Sequence, residues 1–402
     1  MEDYRILVND YAGHPFQIEL SRWLAKQGYQ VLHVFCDSVQ TPRGLLKKTK
    51  IDSETLDIQA ISLQKNFNKY GYISRWNQEI ELGKKLVNKA NDFIPDIIIS
   101  ANPPLRAQKE LLKYAKKNNC EFIFWLQDIL SFGIRKALTK KIYWAGVIIG
   151  SYFEKLEKNL WANSSHIVTI TEDFSKVVVN SGVEFNRITT IENWAPLNEL
   201  SLEKKNNDWS RRHRLSANFC VLYTGTLGLK HNPKLLVELA LAVRSRTDVN
   251  IVITSEGLGA EYIKRESLKY SLENIIVLDF QPFEEMSKIL ATGDILVTLL
   301  EPDAGLYAVP SKVLTYLCAG KPLVLAVPKE NLSARIVLNS KSGIVVSPLN
   351  SKDFIDSVVT LLDNKKMSNE MGRNAINYAQ NNFDINKIGK QFEEIIFKIL
   401  KK

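Results

Sequence analysis

Cysteine is scarce: four residues, Cys36, Cys120, Cys220 and Cys318, are spread over 402 positions, and no two stand in a C-x-x-C pair. That excludes a disulfide framework and a structural zinc site, and it predicts four reduced cysteines inside apolar strands or helices. Long apolar runs are missing too. The run IYWAGVIIGSYF at 142–153 is too short to span a bilayer. The first residues, MEDYRILVNDY, have neither a basic n-region nor an apolar h-region, so no secretory signal is expected there and the cytoplasm is the expected compartment. Several catalytic signatures are also absent. Without G-x-S-x-G, H-E-x-x-H or G-x-x-x-x-G-K-[ST], acyl transfer, zinc-dependent hydrolysis and P-loop chemistry are disfavoured. No pair of carboxylates has a spacing that reads as a glycosidase.

What is present is a globular composition, 45% hydrophobic and 24% charged, on a chain long enough for two cores. A formal charge of +9 calls for an anionic partner: nucleic acid, a membrane surface or an anionic substrate. Nucleic acid is disfavoured because no basic stripe is interleaved with stacking aromatics. Lys136, Lys140 and Lys141 precede the 142–153 run, which can lie in a membrane interface with the lysines against anionic headgroups. Equally, it can be a buried helix of the domain core.

Along the chain, short apolar runs alternate with helical patterns. Strands are expected at 5–11, 31–36, 96–100, 121–128, 166–171 and 188–193, with helices between several of them. Residues 198–217 are polar and aperiodic, which is linker composition. A second series follows, with strands at 219–225, 250–257, 275–280, 295–300, 323–327 and 343–348. Continuous Ile/Val/Leu runs separated by helices predict parallel strands covered on both faces, hence an α/β architecture of two Rossmann-like, doubly wound domains facing a cleft. The expected divisions are 1–198, 199–385, and a terminal helix at 386–402 crossing back to the first domain.

Two loops of the second half suit a diphosphate. In YTGTLGLKHN (223–232), Gly225 and Gly228 let the backbone approach a ligand around Thr226, while Lys230 and His231 add a cation and a donor. The loop lacks the third glycine and the later acidic residue of a dinucleotide fingerprint, so a nicotinamide cofactor loses ground. In DAGLYAVPSK (303–312), backbone amides around Gly305 and Leu306 lead to Pro310, Ser311 and Lys312, which read as the start of a helix of about three turns closed by a left-handed Gly320. Amides and an ammonium at that start suit a phosphate. The SEG at 255–257, with Glu256 and Gly257, ends another strand and is placed to flank a base or ribose; Phe283 of FQPFEEM is placed near the nucleobase.

In the first half, DYAGHPFQ ends the first strand, and its His14 is either a hydrogen-bonding partner of a ligand or the cap of the next helix. Asp128 of WLQDILS is either an acceptor of sugar hydroxyls or an N-cap. Glu172 suits a capping role.

YTGTLGLKHNP, SEG, FQPFEEM, ATGDILVTLL and above all VPSKVLTYLCAGKP resemble the donor domain of retaining GT-B glycosyltransferases of family 4. DYAGHPFQIELSRWLAKQGYQV, WLQD, LEKNLWANSSHIVTITEDFSKVVV and ENWAP are similar to the first domain of a bacterial subgroup that builds surface polysaccharides and includes N-acetyl-L-fucosamine transferases of O-antigen and capsule assembly. The resemblance covers nearly the whole chain in order. It implies a UDP-sugar donor, no metal or other cofactor, transfer with retention to a lipid-linked saccharide, and peripheral contact with the inner membrane face. It also implies front-face displacement, with Lys230 and Lys312 stabilising the leaving diphosphate and with His14 and Asp128 positioning the acceptor. The family's helix glutamate for the ribose falls on Thr315, and the second, eight residues earlier, on Tyr307. Both carboxylates are therefore missing at the usual spacing, leaving Glu301 and Asp303 as candidates for the earlier one. A GT-B nucleotide-sugar epimerase and a non-catalytic partner subunit of the same fold are the competing expectations.

Overall fold

The computed structural model describes residues 4–39, 41, 43–65, 72–101, 103–139, 143–228, 231–304 and 308–401. The chain divides into two compact units, one comprising Met1–Asn193 with Ile385–Lys402 and the other Trp194–Asp384.

The first unit runs β1 (Arg5–Asp10), α1 (Pro15–Lys26), β2 (Gln30–Cys36), β3 (Leu56–Ile61), α2 (Tyr72–Phe93), β4 (Ile97–Ala101), α3 (Leu105–Lys117), β5 (Glu121–Leu126), α4 (Leu130–Thr139), α5 (Tyr143–Asn163), β6 (His166–Thr169), α6 (Glu172–Asn180) and β7 (Ile188–Thr190). All seven strands are parallel, in the order β3-β2-β1-β4-β5-β6-β7. The order reverses between β1 and β4, so their carboxyl ends flank the crevice where a doubly wound sheet takes its ligand. β3 and α2 are not produced by the apolar-run reading. The pattern of β3, LDIQAI, is that of an edge strand with polar positions at its middle, and an edge needs no continuous apolar run.

The second unit contains α7 (Asp208–Arg212), β8 (Phe219–Thr224), α8 (Lys234–Ala242), β9 (Val249–Thr254), α9 (Leu258–Tyr270), β10 (Ile275–Leu278), α10 (Met286–Thr292), β11 (Ile295–Leu299), α11 (Lys312–Leu317), β12 (Leu323–Ala326), α12 (Leu332–Asn339), β13 (Gly343–Val346), α13 (Ser351–Asp363) and α14 (Lys365–Asn382). Its six parallel strands are ordered β10-β9-β8-β11-β12-β13, with the reversal between β8 and β11. Completely buried residues such as Val221, Tyr223, Ile251, Ile253, Val297 and Leu299 form its core with α8 and α13.

Part of the expected linker is folded. Asn207 and Ser210 form a reciprocal capping box at the start of α7, and Trp209 and Leu215 are buried. Trp209 also donates its Nε1–H to Gln281 at 3.1 Å. One capped turn and one indole anchor 207–215 to the second unit although the stretch has no apolar period.

The last helix, α15 (Ile385–Leu400), packs on the first unit. Ile388, Phe392, Ile395, Ile396 and Ile399 are buried on one face, consistent with helical spacing. Phe392 meets Trp125 edge-on at 4.9 Å, and Trp23 donates its Nε1–H to Asn386 at 3.0 Å. All four cysteines are buried, and none forms a disulfide among the described residues, as their apolar contexts predict.

The 142–153 run opens α5. Phe153 is buried, but Tyr143, Trp144, Ile148, Ile149 and Tyr152 are exposed, Trp144 by 78%. The buried-core alternative for this run is thereby overturned: α5 turns a row of large apolar side chains outward. Lys140 and Lys141 lie outside the described residues.

Candidate functional site

In the second unit the two loops singled out from the sequence leave β8 and β11, the adjacent strands on either side of the reversal. Residues far apart in the chain therefore meet. Gly225, at φ +103°, occupies the left-handed region that favours glycine, and a Cβ built on it would stand 3.4 Å from Lys312 Cε and 3.5 Å from Nζ. The Lys312 ammonium lies 3.7 Å from the centre of the Tyr223 ring and donates to the Tyr223 hydroxyl. Tyr223 in turn donates to the carbonyl of Thr226 at 2.9 Å, and burial raises its pKa far above the usual phenol value. A neutral phenol thus links the cation to the glycine turn.

Tyr316 of α11 fixes the same strand end. Its hydroxyl accepts from the Thr224 amide at 2.8 Å and donates to the Thr224 carbonyl at 3.3 Å. From there the turn is held by Ser255, whose hydroxyl receives the Leu227 amide, and by His231, whose Nδ1 receives the Gly228 amide at 3.0 Å. Through Nδ1, His231 is committed to the loop rather than offered to a ligand, and the residue is 8% exposed. Glu256 accepts the Phe280 amide at 3.2 Å and so ties the SEG turn to the loop ahead of Phe283, which is half-buried in a short 3-10 turn. Gly257, at φ +102°, opens α9.

The Pro310 helix is shorter than expected. α11 has six residues, with Ser311 at its N-cap in helical conformation and no side-chain cap. The amides of Val313 and Leu314 turn back to the carbonyls of Pro310 and Ser311, so the chain enters through a tight turn in which Pro310 precedes the helix instead of opening it. A helix of this length contributes little macrodipole. What it supplies is placement: Lys312, Thr315 and Tyr316 fall on neighbouring turns. It ends at Leu317, and Gly320 adopts the expected left-handed conformation, φ +63°, beyond the end. Lys230, Gly305, Leu306 and Tyr307 lie outside the described residues. Of the two carboxylates considered in place of Tyr307, Glu301 is half-buried and Asp303 is exposed in a 3-10 turn.

In the first unit, His14 precedes α1 and makes no side-chain cap to it; its ring stacks on Phe16 with centroids 5.6 Å apart. Gly13, at φ +80°, and the Asp10 carboxylate shape that loop, with Asp10 Oδ1 accepting the amides of Ala12 and Gly13. Asp128 is half-buried before α4, but the amides of Leu130 and Ser131 at the helix start are received by Glu157 of α5 at 3.0 and 3.1 Å. Burial raises Glu157 to a pKa of about 7, against the lowering effect of its Ser131 and Leu130 hydrogen bonds, and the neighbouring charge of Asp128 adds to the rise. At α6 the cap is Thr171, accepting from Asp173, with Glu172 inside the first turn. Among the described residues, no group of three or more His, Cys, Asp or Glu is arranged to hold a metal.

Comparison with solved structures decides the architecture. Anabaena Alr3699/HepE, in complex with UDP and glucose, superposes with a TM-score of 0.71 at 16% identity, covering 98% of this chain and 100% of that one. Sucrose-phosphate synthase from Thermosynechococcus elongatus gives 0.72 at 12% identity, covering 99% of each chain. The fold is GT-B. Within it, residues 205–378 match the family model described as Glycosyl transferases group 1. An uncharacterized glycosyltransferase of Methanocaldococcus jannaschii, MJ1069, is 21% identical over 297 residues, 69% of this chain and 74% of its own length. The family match and the relative are both to glycosyltransferases, while the solved structures show the GT-B fold.

Within this GT-B chain, Tyr223 and Tyr316 shape the candidate site without having been named as candidates from the sequence, and Ser255 of the SEG motif acts on the Gly225 turn rather than on a base or ribose. Each sits in or beside an apolar run, where period and composition read as core. The only sequence signal is their position at strand carboxyl ends or one turn beyond Lys312.

Proposed function

We propose that the protein transfers a sugar from a UDP-sugar to a polyprenyl-diphosphate-linked saccharide, with retention of configuration, in the assembly of a surface polysaccharide such as O-antigen or capsule. The observation that carries this reading is the convergence of Lys312 on the Gly225 turn within a segment that matches group 1 glycosyl transferases. A cation against a glycine turn, at the carboxyl ends of the two strands flanking the sheet reversal, is what a diphosphate needs. UDP is favoured as the carrier by the UDP and UDP-glucose complexes of Alr3699/HepE. The choice of an N-acetylated amino or deoxyamino sugar rests on the resemblance to the N-acetyl-L-fucosamine transferases.

In this mechanism the β-phosphate oxygen of the donor takes the acceptor proton as the glycosidic bond breaks, and the new bond forms on the same face. Lys312 and Lys230 offset the charge that accumulates on the leaving diphosphate. Thr315 offers a hydroxyl to the ribose, and Glu256, Gly257 and Phe283 border the nucleoside. His14 and Asp128 position the acceptor. Peripheral contact with the inner face of the cell membrane is supported by the exposed apolar row on α5 and the net charge of +9; among the described residues no helix is long and apolar enough to cross a membrane.

A thermal-shift panel with UDP, GDP, UMP and NAD, with and without EDTA, tests the donor site, because a ligand that binds only the native state raises the melting temperature. Stabilisation by UDP that survives EDTA is the expected result. If no nucleoside diphosphate stabilises the protein, the loops around Gly225 and Lys312 are structural and the non-catalytic subunit becomes the better reading.

A further inference from the structure

The crevice at the sheet reversal of the first unit carries a charged cluster that none of the roles above uses. Tyr11 follows β1, Arg106 lies in the first turn of α3 just beyond β4, and Arg75 and Glu79 lie one turn apart near the start of α2. These elements meet where β1 and β4 run side by side. Arg75 Nε donates to Glu79 Oε1 at 3.0 Å, and Glu79 is 4% exposed. Both Arg75 and Arg106 lower the pKa of Glu79 against the larger upward effect of its burial, and Arg75 and Glu79 both act on the phenol of Tyr11. Arg75 thus pairs directly with Glu79, while Arg106 acts on it only through its charge. The Arg106 guanidinium carbon lies 2.9 Å from the centre of the Trp76 ring, and its buried Nη1 has no hydrogen-bond partner among the described residues. A buried guanidinium N–H left unmatched is costly unless an anion completes it.

The surroundings narrow the choice of anion. Trp76, 38% exposed, packs against Tyr152 and Phe153 of α5, each with ring centroids 6.2 Å away. Tyr152 belongs to the row of exposed apolar side chains that continues through Ile149, Ile148 and Trp144. An excess of positive charge at the end of an exposed apolar helix face matches an amphiphile with a phosphorylated head. Nucleotides or free phosphate would have no use for the apolar row.

We propose that Arg106, with Arg75 and Tyr11, forms the site in the first unit that holds the diphosphate of a lipid-linked acceptor, the prenyl chain lying along the exposed face of α5. This deepens the acceptor reading above and rests on it. Arg106 is a binding residue here, and Glu79 positions Arg75.

The test is calorimetric titration of the full chain with farnesyl diphosphate, a short soluble prenyl diphosphate, and separately with inorganic pyrophosphate. Wild-type protein is expected to bind farnesyl diphosphate and to bind pyrophosphate far more weakly. Arg106→Gln is expected to weaken farnesyl diphosphate about tenfold or more, the scale of one charge-assisted contact, while leaving UDP binding unchanged. Lys312→Ala, which acts on the diphosphate loops of the other unit, is expected to leave farnesyl diphosphate binding as it is. Should Arg106→Gln fail to fold, Arg75→Gln, whose side chain is 34% exposed, is titrated in its place with the same expectation. Equal affinity of the variant and wild type overturns the proposal, and so does pyrophosphate binding as tightly as farnesyl diphosphate, which would mark a site for free phosphate. A wild-type protein that ignores UDP yet binds farnesyl diphosphate through Arg106 would sink the donor reading and leave this site standing.

Discussion

The Lys312 side chain is placed by two neighbours distant in sequence, Tyr223 and Gly225. Its ammonium is held on the Tyr223 ring and hydroxyl beside Gly225, half-buried and already oriented before a ligand arrives. Replacing it by alanine removes a charge-assisted contact worth about 1.5–3 kcal/mol, so Lys312→Ala is expected to weaken UDP roughly tenfold to a hundredfold in calorimetry. The melting temperature without ligand should barely move, because the backbone of the turn is held by Tyr316 and Ser255. Unchanged UDP affinity would remove Lys312 from the site. Gly225 and Lys312 were legible in the sequence because glycine after a strand and a cation after Pro-Ser are local signals. Tyr223 and Tyr316 were not, since a buried tyrosine with a bonded hydroxyl looks like any core aromatic until its partner, 92 or 89 positions away, is known.

Among the elements, α4 depends on a neighbour for its first turn. Glu157 reaches from α5 to receive the amides of Leu130 and Ser131, along with the Ser131 hydroxyl at 2.5 Å. Its pKa is raised from 4.5 to about 7 by burial, so between those values the folded chain binds a proton that the unfolded chain does not. The stability it contributes is full below about 4.5 and is lost as the pH rises through about 7, by an amount on the order of a few kcal/mol. Urea unfolding at pH 5 and pH 8 should therefore show a smaller pH difference for Glu157→Gln than for wild type; an equal difference would mean that Glu157 is not the titrating group. The sequence offered Asp128 as either an acceptor of sugar hydroxyls or the cap of α4, because a helix start is normally read from adjacent residues and the contribution of a distant helix is not visible there. α5 itself was ambiguous for a related reason. A short apolar run has the same composition whether it is buried or faces outward, and only the exposure of Trp144 and Ile148 separates the two. Trp144→Glu is expected to reduce co-sedimentation with vesicles containing anionic lipid several-fold while leaving UDP binding intact; retention equal to wild type would move the membrane contact off this face.

On the scale of the whole molecule, the chain closes its first unit with its last helix. Gly389 of α15 lies against the Trp23 indole so closely that a Cβ would overlap the ring. Alanine in a helix normally gains about 1 kcal/mol over glycine, yet overpacking a rigid indole costs about 1–3 kcal/mol, so Gly389→Ala is expected to be net destabilising. Urea unfolding followed by tryptophan fluorescence measures it. A stabilised variant would show that α15 can shift on Trp23 without loss.

The order and type of most elements, the parallel sheets and the two loops around Gly225 and Lys312 were determined by the sequence alone. Continuous apolar runs, glycine turns and proline-led helix starts express themselves within a few residues of where they stand. Tertiary structure decided that Lys312 lies on Tyr223, that Glu157 of α5 receives the first amides of α4, that 207–215 is anchored by Trp209, and that Arg106 lies over the Trp76 ring. Each of these is a meeting of side chains from separate elements. It follows from strand order and register, which arise when the whole apolar surface is buried at once.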